Sequence, residues 1–161
     1  NTISMGTGPY TMLVIQRNWY PGTTYQSYIG TRESGAIPNG IELSFQFLGD
    51  TTRVLLTQGT SSGDAAVSSI AGTSAGDYAV MAAGRTTSDI FVSFDNSRTS
   101  SSPGFWNVSA DDASSVFGVG CRYLNAGGSG FVSAEIYAAA FFNKALTAGE
   151  IAQIVSYYGT A

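Results

Sequence analysis

The sequence has 161 residues, enough for one domain with its own core, and only 11% of them are charged. The net charge is −4 and the seven basic residues are scattered, so the concentrated basic footprint of a nucleic-acid-binding protein is missing. No apolar run reaches 18 residues, which excludes membrane insertion through a helix. Low charge with 43% apolar residues favours a protein displayed outside a cell or on a particle over a cytosolic enzyme. Because the sequence begins at Asn1 without a leader, we expect a piece of a longer protein.

The first half of the chain predicts five strands separated by turns. Residues 10–16 form a near-continuous apolar run, which is typical of a strand that is covered on both faces or central in a sandwich. A second strand is predicted at 25–32. Residues 41–47 alternate between apolar and polar, which predicts an antiparallel strand with one face in the core and one in water. Shorter strands are predicted at 53–58 and 65–70.

The second half predicts a hairpin, a polar connection and two further strands. Segments 78–83 and 89–94 have the pattern of a hairpin. The polar segment 97–105 is predicted to be a connection with few structural demands. Apolar strands are predicted at 114–121 and 131–142. Turn signals every 8 to 12 residues indicate an all-β sandwich.

A short amphipathic helix is predicted at the C-terminal end of the chain. Thr147 has the position of an N-cap, and Glu150 is its capping-box partner three residues later. Leu146 and Ile151 have the spacing of a hydrophobic staple. The face that packs on the sandwich is predicted to carry Ile151, Ile154, Val155 and Tyr158.

Two stretches near the end of the chain carry a family resemblance. Residues 130–137 are Gly-Phe-Val-Ser-Ala-Glu-Ile-Tyr, and residues 142–151 are Phe-Asn-Lys-Ala-Leu-Thr-Ala-Gly-Glu-Ile. Together they resemble the closing signature of laminin-G-like, concanavalin A-like jelly-roll domains. The resemblance implies a single domain over 1–161, an all-β fold with two antiparallel sheets in a jelly-roll sandwich, and one short C-terminal helix. Chains this rich in Ser, Thr and Gly look most like variants in phage tail-fibre, adhesin or capsid-surface proteins and in secreted bacterial proteins.

Catalysis is disfavoured by the residues that are missing. The sequence has no histidine, which removes the commonest general base and the commonest metal ligand. Some concanavalin A-like folds hydrolyse glucans through a Glu-x-Asp-x-x-Glu strand, but neither Glu42 nor Glu135 is followed by a second carboxylate at that spacing. We therefore predict no enzymatic activity. Glu135 is expected to be a partly buried structural acid that an arginine or backbone donors satisfy.

Two predicted loops have the composition of a sugar-binding surface. A pyranose has an apolar face and a rim of hydroxyls, so it binds an exposed aromatic ring beside amide and carboxylate groups. The alternative is that these aromatic residues only plug the edge of the core. The candidate glycan-binding residues are Asn18, Trp19 and Tyr20 in one loop and Phe105, Trp106 and Asn107 in the other.

A calcium ion is the one cofactor that the resemblance leaves open, although none is required. Laminin-G-like folds sometimes bind Ca²⁺ through Asp and Asn oxygens of loops. The candidate ligands are Asp95 with Asn96 and Asp111 with Asp112. Such residues are also common turn formers, which is the structural alternative.

The functional prediction is a non-catalytic surface-recognition module, displayed on a phage virion as a fibre, adhesin or decoration protein, or secreted by bacteria. Its predicted partner is a cell-surface glycan or a neighbouring protein, and its predicted location is extracellular or on the virion surface. Low charge also favours a homo-oligomer or attachment to a larger assembly. The alternative function is a purely structural capsid-decorating or fibre-capping domain without a glycan ligand.

Overall fold

The computed structural model describes residues 6–17, 25–31, 40–48, 51–60, 63–70, 78–104, 118–120, 132 and 134–158. These residues form ten strands and one helix. The strands are β1 Tyr10–Arg17, β2 Tyr25–Gly30, β3 Gly40–Leu48, β4 Thr51–Thr60, β5 Gly63–Ile70, β6 Ala79–Arg85, β7 Ile90–Phe94, β8 Ser97–Ser101, β9 Gly118–Val119 and β10 Glu135–Phe142, and the helix is α1 Ala148–Tyr158.

The strands form two five-stranded sheets. The first sheet has the order β10-β1-β6-β7-β8 and the second has the order β5-β4-β3-β2-β9. Every pair of neighbouring strands is antiparallel. Strand β1 lies between the last strand and the sixth, so the first sheet joins distant parts of the chain. The predicted fold, a two-sheet antiparallel sandwich with a C-terminal helix, is confirmed.

Strand β1 is covered on both of its faces, as its apolar sequence predicts. Met12 and Val14 point between the sheets into the main core, while Leu13 and Ile15 point to the opposite face. Side chains of β6, β7 and the C-terminal region complete an outer apolar cluster on that face. Its buried members are Leu13, Ile15, Val80, Ala82, Phe91, Leu146 and Ile151.

Helix α1 begins with the predicted capping box. The Thr147 backbone N–H donates to Glu150 Oε2 at 2.7 Å, and the Glu150 backbone N–H donates to Thr147 Oγ1 at 3.2 Å. Both residues of the predicted staple, Leu146 and Ile151, are buried in the outer cluster. Thr11 anchors this end to β1, since its Oγ1 accepts from the Leu146 N–H at 2.9 Å. With 11 residues, the helix of the described part of the chain is too short to cross a membrane.

The prediction that 97–105 only connects two strands is wrong over its first half. Residues Ser97–Ser101 form β8, which pairs with β7 at the edge of the first sheet. Its hydroxyl side chains are exposed, and the strand is held by backbone hydrogen bonds and by Arg98. The guanidinium of Arg98 lies 3.8 Å from the ring centroid of Phe91 and donates to the Leu146 carbonyl at 3.1 Å. A polar composition therefore did not exclude an edge strand here.

Two expectations about exposure are also wrong. The polar face of β3 was expected in water, yet Glu42 and Ser44 are 1% and 0% exposed. Alternation shows that the two faces differ in polarity, but it does not show whether other parts of the chain cover the polar face. Glu135 was expected to be partly buried and is exposed at the start of β10. Residues 131 and 133 of the strand predicted at 131–142 lie outside the described residues.

Candidate functional site

Most of the predicted site residues lie outside the described part of the chain. This holds for all six candidate glycan-binding residues and for one of the two candidate calcium pairs. They remain predictions. They are Asn18, Trp19, Tyr20, Phe105, Trp106, Asn107, Asp111 and Asp112.

The other candidate calcium pair, Asp95 and Asn96, forms the turn between β7 and β8. The Asp95 N–H donates to the Val80 carbonyl at 2.8 Å, and Asp95 Oδ1 accepts from the Val80 N–H at 2.9 Å. Burial raises the pKa of the Asp95 carboxyl, and the bond from Val80 opposes that rise. Asn96 is exposed. One carboxylate oxygen thus already has a structural role, and the described residues contain no cluster of three potential metal-binding acidic, Cys or His side chains.

The described surface contains a different polar and aromatic group, which we call the arginine–tyrosine cluster. It consists of Arg17, Tyr78, Glu135 and Tyr137. Arg17 ends β1 and lies opposite Glu135, the first residue of β10, in the strand register. On the other side of β1, Tyr78 directly precedes β6. Antiparallel pairing on both sides of β1 brings these distant residues to one end of the first sheet.

A β-bulge in β10 positions Tyr137. Ile15 pairs with Ala138, whereas the next residue of β1, Gln16, pairs with Ile136, so Tyr137 is the extra residue of the bulge. A bulge changes the direction in which a strand presents its side chains. The side chain of Tyr137 is 50% exposed, although both of its neighbours are partly buried.

The rings of the cluster are in close contact. The ring centroids of Tyr78 and Tyr137 are 4.8 Å apart with an interplanar angle of 64°, an edge-on arrangement that aromatic pairs favour. The guanidinium carbon of Arg17 lies 5.4 Å from the centroid of the Tyr78 ring. The two rings and the guanidinium therefore support one another at the surface.

Hydrogen bonds connect the hydroxyls with the charged groups. Bonds to Tyr78 and then Tyr137 raise the pKa of Arg17 further above its already high value. The pKa of Tyr78 is lowered, first by the bond to Tyr137 and then by Arg17, and the pKa of Tyr137 is raised by its bond to Tyr78. The Tyr137 hydroxyl also lies 3.4 Å from Glu135 Oε2, and its single proton serves only one of these acceptors at a time.

A second exposed tyrosine lies at the end of α1. Tyr157 is 73% exposed, and its ring centroid is 5.0 Å from that of Tyr158, which packs on the outer cluster. This pair lies on α1, outside the arginine–tyrosine cluster.

The sequence analysis did not find the arginine–tyrosine cluster. Its members are far apart in the chain, and their contact depends on the register of three strands and on one bulge. The available signal was that Arg17 and Glu135 each stand at the end of an apolar run, where a strand meets its loop. That signal alone does not show that the two ends are adjacent.

No family model and no curated protein matches the sequence. Solved structures do match. The CBM40 of the Ruminococcus gnavus IT-sialidase, bound to alpha2,3 sialyllactose, has a TM-score of 0.73 at 8% identity, with 94% of this chain and 84% of that one covered. The heptameric SAP-like pentraxin of Limulus polyphemus has a TM-score of 0.71 at 14% identity, with 99% and 74% covered. The fold is a concanavalin A-like jelly roll.

A phage protein has the same jelly roll as one part of a longer chain. The enzymatically active domain of tailspike protein 2 from bacteriophage CBA120 has a TM-score of 0.70 at 15% identity. The match covers 98% of this chain but 25% of the tailspike chain. At these identities the likeness establishes the fold, while ligand and activity have to be argued from the residues of this chain.

Proposed function

We propose that this protein is a non-catalytic glycan-binding module and that the arginine–tyrosine cluster forms part of its binding surface. The observation that carries the proposal is the exposed Tyr137, held edge-on against Tyr78 beside Arg17 and Glu135. An aromatic ring provides a surface for the apolar face of a pyranose, and the guanidinium, carboxylate and hydroxyls provide donors and acceptors for its hydroxyl groups.

The first predicted glycan-binding loop is adjacent to the cluster in the sequence. Asn18, Trp19 and Tyr20 directly follow Arg17 in the sequence. We propose that these three residues extend the same binding surface with further aromatic and amide groups. The second predicted group, Phe105 to Asn107, and a calcium ion at the Asp and Asn pairs remain additional proposals without a described contact to the cluster.

Two of the matching proteins support a role in glycan recognition. One matching domain was solved with a bound sialylated sugar, and another is part of a phage tailspike. These matches also support the proposed location, which is extracellular or on a virion surface. The competing function is a structural capsid-decorating or fibre-capping domain.

A glycan array with the wild-type protein and two variants tests the proposal. Tyr137→Ala should reduce retention on the bound glycans strongly, since it removes the exposed ring. Tyr157→Ala, which removes an exposed ring outside the cluster, should leave retention unchanged. Both variants should keep a melting temperature close to that of the wild type, because both side chains are at least half exposed.

Two results would count against the proposal. One is an array that stays blank at high protein concentration. The other is equal retention by wild type and Tyr137→Ala, which would leave the cluster without a role in binding. A blank array combined with a stable trimer or larger assembly in sedimentation would favour the structural alternative.

A further inference from the structure

Arg17 differs from the other basic side chains whose surroundings the structure describes. Arg85 is fully buried and donates to two backbone carbonyl oxygens, and Arg98 donates to another. Lys144 forms a salt bridge of 2.6 Å with Glu150. Arg17 instead contacts two neutral tyrosines. Its positive charge is therefore not matched by a carboxylate among the described residues.

The carboxylate that lies opposite Arg17 in the strand register does not form an ion pair with it. Glu135 lies opposite Arg17 in the strand register, but its Oε2 accepts from the Tyr137 hydroxyl, and no ion pair joins it to Arg17. In addition, the Nε of Arg17 is shielded from solvent and has no acceptor among the described residues. A buried donor without an acceptor is unfavourable, so without a ligand Arg17 lacks both an acceptor for its Nε and a counter-charge.

We propose that the glycan bound at this surface carries a carboxylate and that Arg17 binds it. The inference rests on the proposed function and names the ligand class of the same site. A guanidinium offers a planar fork of N–H donors that matches the two oxygens of a carboxylate. Packing against the ring of Tyr78 holds that fork in place before the ligand arrives, which lowers the entropy lost on binding.

The surrounding charges favour one carboxylate over a highly charged ligand. The protein has a net charge of −4, and Glu135 is exposed beside the site. A polysulfated chain would bring many negative charges to this acidic surface, whereas a sugar acid brings one charge per residue to Arg17. Two kinds of sugar provide such a group, a terminal nonulosonic acid and a uronic acid.

Matched pairs of ligands test the inference and separate the two sources. The first pair is sialyllactose and its methyl ester, and the second is galacturonic acid and its methyl ester. Binding of each is measured by calorimetry with wild type, Arg17→Gln and Arg17→Lys, and melting temperatures check folding. For wild type, the acid of one pair should bind roughly tenfold to a hundredfold more tightly than its neutral partner. The pair that shows this preference identifies the source of the carboxylate.

The variants should change the preference for the acid and not only the affinity. Arg17→Gln should abolish the preference for the acid. Arg17→Lys keeps the charge but loses the planar fork, so it should retain part of the preference. The preference that remains in Arg17→Lys should increase as the salt concentration is lowered. If the neutral partners bind as tightly as the acids, or if a sulfated glycan binds more tightly than either acid, the inference is overturned while glycan binding stands. If no member of either pair binds and an array is also blank, the proposed function fails together with it.

Discussion

Asp95 shows how a single residue combines a structural role with a dependence on pH. Its φ of 48° lies in the left-handed region, where Asp and Asn are tolerated better than other non-glycine residues. Its carboxylate accepts from the Val80 N–H and so links the turn between β7 and β8 to β6. Burial raises its pKa, so the folded protein binds this proton more tightly than the unfolded chain does.

This shift predicts the effect of Asp95→Asn. In the wild type, the carboxyl's contribution to the free energy of unfolding is largest below its unfolded pKa and is lost as the pH rises through the raised folded pKa. Asn keeps the acceptor and the left-handed conformation but does not titrate. The variant should lose that part of the pH dependence and be at least as stable as wild type at pH 7 in urea denaturation. A variant clearly less stable at pH 7 would show that the charge itself is needed, for example by a cation.

Asp95→Ala is the matched control for the hydrogen bond. It removes the acceptor of the Val80 N–H and places a side chain without local polar support at positive φ. We expect a loss of roughly 1–3 kcal/mol at pH 7 in the same denaturation experiment. An unchanged stability would contradict the structural role given to this turn.

At the scale of elements, helix α1 depends on its first turn. Thr147→Ala removes the acceptor of the Glu150 N–H and should cost about 1 kcal/mol of stability. The pKa of Glu150 is lowered to about 2, first by Lys144 and then by Thr147. The contribution of this carboxylate to the free energy of unfolding is therefore present above its ordinary pKa and is lost as the pH falls toward 2. The Thr147→Ala protein should show a lower melting temperature at pH 7, and an unchanged value would show that the cap does not contribute.

Edge strand β8 depends on Arg98. Arg98→Ala removes both the stacking on Phe91 and the bond to the Leu146 carbonyl, which together should cost roughly 1–3 kcal/mol. Arg98→Lys keeps the charge and should recover part of that loss. The measurement is the midpoint of urea denaturation. Equal midpoints for wild type and Arg98→Ala would contradict the role assigned to this side chain in joining β8 to the start of α1.

These two elements mark what the sequence could and could not predict. The capping box and staple of α1 are interactions between residues three to five positions apart, so the sequence contained all of the information needed. Strand β8 has no apolar alternation from which it could be predicted. It is held in place by its pairing with β7 and by the contacts of Arg98. The exposure of Glu135 and the burial of Glu42 likewise depend on distant parts of the chain.

At the scale of the whole molecule, the strand order creates the candidate site. The position of β1 between β10 and β6 joins the end of one strand to the starts of two others. The sequence predicted the sandwich from its turns and apolar runs, but not the register that brings Arg17 beside Tyr78 and Tyr137. Asn18, Trp19 and Tyr20 directly follow the C-terminal end of β1 in the sequence.

The most direct test of glycan binding at the arginine–tyrosine cluster is an NMR titration of the folded protein with a glycan selected from the array. Saturable shift changes should be concentrated at Arg17, Tyr78, Glu135 and Tyr137 and be small at Tyr157. They should also be strongly weakened in Tyr137→Ala. Saturable changes confined to other parts of the protein, with the four cluster residues unaffected, would contradict the account.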